Sequence, residues 1–190
     1  SIDRTSNGEG KIENLAYEEV SSYDFGSWFS EDYKNVKIPT FDEFLKLCKE
    51  IELHPYIELK GKYTKDQIKA LVDAVEKNEM KGNVSWISFE YNYLVYVKEF
   101  DDTARLGLLS GEFKDTDLEH AISLRTGKNE VFLDLGFMNT YSWCIRKCKK
   151  AKMPIEVWTV NEDLLIHIMH PYISGVTSDC LIADEVLKRK

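Results

Sequence analysis

The stretch His54-Pro55-Tyr56-Ile57-Glu58-Leu59-Lys60 makes the heaviest chemical demands of any in this sequence. Read as a strand it alternates faces, so Tyr56, Glu58 and Lys60 share one side and Ile57 and Leu59 the other. A parallel sheet covered by helices buries both faces, and its strands normally read as continuous apolar runs. A carboxylate and an ammonium sent into such an interior are costly unless they are paired or bound to an ion. A structural Glu–Lys ion pair is the plainer reading. The sharper one is a functional site, since both groups sit at the strand end where β/α barrels build their sites.

Two further strand ends carry candidate groups. In Val157-Trp158-Thr159-Val160-Asn161, Trp158 shares a face with Glu156 and brings a large indole to the mouth of the sheet. It either packs on a ligand's carbon skeleton or plugs the interior. Gly175-Val176-Thr177-Ser178-Asp179 closes the last strand with a small residue and a carboxylate. Ser88 and Asp134 also fall at or near strand ends, and neither stands out by itself.

The elements that position these groups alternate. Thr40-Phe41-Asp42-Glu43 is a capping box, opening a helix whose apolar face holds Phe41, Phe44, Leu45 and Cys48. Thr64 to Gln67 caps the next helix, with Ile68, Leu71, Val72 and Val75 at amphipathic spacing. Strands are expected at 54–60, 84–89, 104–109, 131–135, 155–159 and 173–178. Helices are expected near 91–100, 115–126, 139–152, 162–169 and 181–188. Strict alternation implies a parallel sheet, either doubly wound or closed into a barrel. Residues 1–39 differ: Ser6 to Gly10 is turn chemistry, and Tyr23, Phe25, Trp28, Phe29 and Tyr33 crowd a stretch without a clean period.

Composition narrows the function classes. The net charge is −8, with 25 Lys and Arg against 33 Asp and Glu, which argues against bulk nucleic-acid binding through neutralised phosphates. No apolar run approaches the ~18 residues of a membrane span. The compartment is left open. Cys48, Cys144, Cys148 and Cys180 lack CxxC spacing and read as small, buried, reduced thiols. The basic run Arg146 to Lys152 ends a helix, where cations offset the macrodipole.

Six segments, in order, resemble the glycerophosphodiester phosphodiesterase family: Asp3 to Gly10 (DRTSNGEG), Tyr23 to Phe29 (YDFGSWF), Ile38 to Glu43 (IPTFDE), Ile57 to Lys60 (IELK), Trp158 to Asn161 (WTVN) and Ser174 to Asp179 (SGVTSD). The resemblance implies a TIM (β/α)8-barrel and the metal-dependent hydrolysis of glycerophosphodiesters to an alcohol and glycerol phosphate. It implies a divalent cofactor, Mg2+ or Ca2+, with Glu58 as a metal ligand, and Lys60 and Trp158 as substrate-binding residues. It also implies one domain over residues 1–190, with 1–39 as a loop or insertion and 40–190 as successive β/α units.

The family's first strand, first helix and second strand, with its two catalytic histidines and two further acidic ligands, have no counterpart in these residues. No catalytic residue is therefore assigned, and the 190 residues alone are expected to be inactive. His54, His120, His167 and His170 do not replace the pair; the last two lie three apart on an expected helix end, too few ligands for a metal. A barrel lacking two strands leaves open sheet edges, hence an expectation of self-association. The rival readings are a lysophospholipid or sphingolipid phosphodiesterase on the same fold, and an inactive barrel fragment used for binding or assembly.

Overall fold

A computed structural model describes residues 1–162 and 171–180 of the chain. Residues group into two compact units, Ser1–Leu47 and Cys48–Lys190. The division falls inside a helix rather than at the change of pattern near residue 39. The expected helices at 162–169 and 181–188, with His167 and His170, lie outside the described residues.

In the first unit, two of the quoted segments are bonded to each other. Asn7 accepts from the Asp24 amide at 2.8 Å, and its own amide donates to the Asp24 carbonyl at 3.1 Å. Asp24 in turn accepts from the amides of Gly26 and Ser27 and from the Ser27 hydroxyl at 2.6–3.1 Å, which holds its carboxyl well below the usual carboxylate range. A side chain at Gly26 would place its Cβ 1.8 Å from the Tyr33 carbonyl oxygen, so only glycine fits this turn. Trp28, Phe29 and Tyr33 meet edge to face, with the Arg4 guanidinium over the Trp28 ring. The helix α1 (Tyr17–Val20) is a single turn, and α2 (Phe41–Glu50) opens with the expected Thr40–Glu43 box.

The second unit is a six-stranded parallel sheet in strict sequence order: β1 (Tyr56–Glu58), β2 (Ser85–Ser88), β3 (Arg105–Ser110), β4 (Val131–Gly136), β5 (Ile155–Trp158) and β6 (Ile173–Val176). Between them run α3 (Lys65–Lys77), α4 (Tyr91–Phe100), α5 (Asp115–Ser123) and α6 (Ser142–Lys150). Each strand was expected within a few residues of where it lies. Thr64 and Gln67 close a reciprocal capping box on α3, whose buried residues Ile68, Val72 and Val75 are the expected stripe.

The sheet is curled. In a flat sheet β1 and β5 would lie roughly 19 Å apart, at ~4.8 Å per strand. Yet the Tyr56 hydroxyl on β1 donates to Glu156 on β5 at 2.9 Å, and Arg105 on β3 bonds both. This arc of parallel strands with helices outside is the (β/α) barrel fold rather than a doubly wound sheet. Small residues admit large ones inside it. A Cβ at Gly107 would lie 2.3 Å from the Phe132 ring, and one at Gly175 would lie 2.7 Å from the Glu156 carboxyl carbon.

All four cysteines are free. Cys48, Cys144 and Cys148 are buried, and burial pushes the Cys148 thiol up to about 12. Cys180 corrects the expectation of a wholly buried set: it is exposed, beyond the end of β6.

Candidate active site

Polar side chains line the inner face at the N-terminal ends of the strands. Tyr56 and Arg105 begin β1 and β3, Ser85 begins β2, and Glu156 is one residue into β5. The Arg105 guanidinium pairs with Glu156, donates to the Tyr56 hydroxyl at 2.9 Å and the Ser85 hydroxyl at 2.6 Å, and lies 4.2 Å over the Phe132 ring. His54 bonds Ser85 at 2.8 Å; burial, then the Arg105 charge, lower its pKa. Glu156 is 6% exposed, and its neighbours already use it. This end of the interior is a satisfied polar core.

The C-terminal ends are built differently. Glu58, Lys60, Phe89, Asp134, Trp158 and Thr177, from five of the six strands or the loops just past them, line a cavity of about 210 Å³. The three sequence candidates, Glu58, Lys60 and Trp158, are thus brought together. Lys60 Nζ lies 3.9 Å from Glu58 Oε1, with side-chain exposures of 80% and 34%. That is a loose contact facing open space, not a pair sealed in a dry interior. Trp158 meets Phe89 edge to face at 5.7 Å and donates its indole N–H to the Asp134 carbonyl at 3.2 Å.

Other candidates have structural duties. Asp179 lies past β6, where it accepts from Asn161 at 3.1 Å while its amide donates back at 2.9 Å. Asn161 therefore ties the loops after β5 and β6. Buried Ser88 donates to the Leu59 carbonyl at 2.8 Å and accepts from the Glu90 amide. His120 stacks on Tyr91 on the helical layer.

Asp134 is the residue that sequence reasoning passed over. It is 1% exposed, and its Oδ1 has no hydrogen-bond partner among the described residues. Burial above all pushes its carboxyl up to about 7; Glu156 adds to the shift, Arg105 opposes it and Glu58 adds further. The signal was in the sequence: Asp134 breaks the apolar run Val131-Phe132-Leu133-Asp134-Leu135 at an inward position.

Residues 1–188 match the model of the glycerophosphoryl diester phosphodiesterase family. The chain belongs to that family. A glycerophosphodiester phosphodiesterase of Caldanaerobacter subterraneus is 25% identical over 183 residues, 94% of this chain and 73% of that relative. A shorter match, 41% identical over 61 residues, joins 32% of the chain to 24% of a putative family member of Bacillus subtilis. Among solved structures, an Oleispira antarctica phosphodiesterase, determined with its product sn-glycerol-3-phosphate, superposes with a TM-score of 0.78 at 20% identity. That superposition covers 93% of this chain and 72% of the other. A family enzyme of Parabacteroides distasonis gives a TM-score of 0.71 at 20% identity, over 93% of this chain and 71% of its own. At such identities these superpositions speak for the fold, and they agree with the curled parallel sheet.

Proposed function

We propose that the cavity at the C-terminal strand ends is the substrate wall of a glycerophosphodiester phosphodiesterase, which releases an alcohol and glycerol phosphate. One observation carries the reading: Glu58 at the end of β1, Lys60 just past it and Trp158 from β5 converge on one open cavity. Lys60, largely exposed and only loosely held by Glu58, is a charge clamp for a phosphodiester. Trp158 and Phe89 offer ring faces and edges to the substrate's carbon skeleton.

Glu58 would give one oxygen ligand to a divalent cation, Mg2+ or Ca2+, the hard ions that carboxylates suit. Such an ion, when bound, polarises phosphoryl oxygens and activates the attacking hydroxyl or water. The fit is that of one ligand and not of a site. Among the described residues no group of three His, Cys, Asp or Glu side chains could hold a metal. No step is assigned to the ion here.

No histidine lines the cavity among the described residues. General acid–base catalysis typically contributes ~10²–10⁴-fold, so a polypeptide of these 190 residues alone should turn over negligibly. Mass-verified protein hydrolysing glycerophosphocholine at an ordinary enzymatic rate would overturn that part of the reading. The site itself is tested by calorimetric titration with sn-glycerol-3-phosphate. Saturable binding that weakens at least about tenfold in Lys60→Ala supports it; affinity indifferent to Lys60 contradicts it.

Phe89, 50% exposed beside Trp158, favours one second reading: a lysophospholipid or sphingolipid head group on the same fold. A further proposal concerns association. Among the described residues, strands β1 and β6 each pair with one neighbour, and bare parallel edges invite pairing with another chain. Light scattering that gives a monomer across a wide concentration range would remove it.

A further inference from the structure

Asp134 is buried in the wall of the proposed cavity, and its Oδ1 has no hydrogen-bond partner among the described residues. Of the other cavity residues, Ile87, Phe89 and Leu109 carry no side-chain donor, and Lys60, Thr159 and Thr177 leave its Oδ1 unbonded. The Trp158 N–H is spent on the Asp134 backbone carbonyl, and Glu58 offers only acceptor oxygens when ionised. A buried polar atom without a partner is costly, so a group kept in that state points to a ligand that completes it.

We propose that Asp134 is a specificity residue of this site: its carboxyl receives a hydroxyl of the ligand's glycerol part, while Lys60 holds the phosphate. The assignment rests on the phosphodiester reading above and gives that ligand a direction. A phosphoryl oxygen is an anionic acceptor and is the wrong partner for a carboxyl flanked by Glu156 and Glu58. A hydroxyl both donates and accepts, so it suits the carboxyl in either protonation state. Lys60 and Asp134 come from the first and fourth strands of the sheet order. A small polyol phosphate could therefore span the cavity with its ends distinguished, and Trp158 and Phe89 would flank its carbons.

The test compares sn-glycerol-3-phosphate with propyl phosphate, which has the same phosphate and carbon count but no hydroxyls. Calorimetry on the wild-type chain, with Mg2+ in the buffer, should show glycerol phosphate favoured by roughly ten- to hundredfold. Asp134→Leu should abolish that preference, mainly through loss of glycerol phosphate affinity. Asp134→Asn keeps an acceptor oxygen in an isosteric side chain and should retain part of the preference. A merely structural Asp134 would instead weaken both ligands in parallel. Equal binding of the two ligands by wild type, or a preference that survives in Asp134→Leu, overturns the assignment and leaves the phosphodiester reading standing. Failure of wild type to bind either ligand overturns both.

Discussion

The two ends of the curled sheet both bring charge to the interior, and they finish it differently. At the N-terminal ends Arg105, Glu156, Tyr56, Ser85 and His54 bond one another. At the C-terminal ends Glu58 and Lys60 touch loosely, and Asp134 has an oxygen with no partner. Polar residues inside a barrel are therefore not in themselves a sign of function. The completed network belongs to the fold; the unfinished one is where a ligand is proposed.

The largest effect that could break this contrast lies in the lower network. Arg105→Met strands the Glu156 carboxylate, 6% exposed, without its cation. We expect a loss of about 3–5 kcal/mol in urea unfolding at pH 7. Much of it should return in the double variant Arg105→Met/Glu156→Leu, which removes both charges together. A single-variant loss below about 1 kcal/mol would mean the network is not what holds this end.

Asp134 should behave in the opposite sense. Its folded pKa of about 7 lies above the ordinary 3.8, so the unfolded chain ionises first as pH rises. Stability is whole below about pH 4 and is lost as pH climbs through about 7. Asp134→Asn removes that penalty. The variant should match wild type near pH 4 and exceed it by on the order of 3 kcal/mol above pH 8, as read by thermal or urea unfolding. A variant less stable than wild type at pH 8 would make Asp134 a structural group.

The smallest effect on stability belongs to the exposed pair. Glu58→Gln and Lys60→Ala should each change unfolding free energy by less than about 1 kcal/mol, since a loose ion pair with an 80% exposed lysine contributes little. The same Lys60→Ala change should cost at least about tenfold in glycerol phosphate affinity. A large stability loss at either position would restore the plain ion-pair reading.

Much of the fold was legible because its signals are local. The Thr64–Gln67 capping box and the Ile68, Val72, Val75 stripe fix α3 from a dozen residues. The apolar run Val131 to Leu135 marks β4 as a strand buried on both faces. The grouping of Glu58 with Trp158 followed from strand alternation and from both ending their strands. What could not be read was how the two polar ends differ. Tyr56, Glu58 and Lys60 share one strand face, yet Tyr56 is bonded to a glutamate 100 residues away while Glu58 opens to a cavity. Partners across a curled sheet depend on strand stagger, which residue types do not encode. Asp134 was visible as a break in an apolar run, but its unpaired oxygen is a property of its neighbours and was not.

The central claim is that a glycerol phosphate binds at the C-terminal strand ends, beside Trp158. The chain has four tryptophans, and Trp86, 1% exposed in the core, serves as an internal reference. Indole ¹⁵N–¹H spectra recorded during titration with sn-glycerol-3-phosphate should show the Trp158 resonance shifting saturably while Trp86 stays fixed. The shift should be lost in Lys60→Ala. A Trp158 resonance that does not move at ligand concentrations saturating by calorimetry would contradict the account.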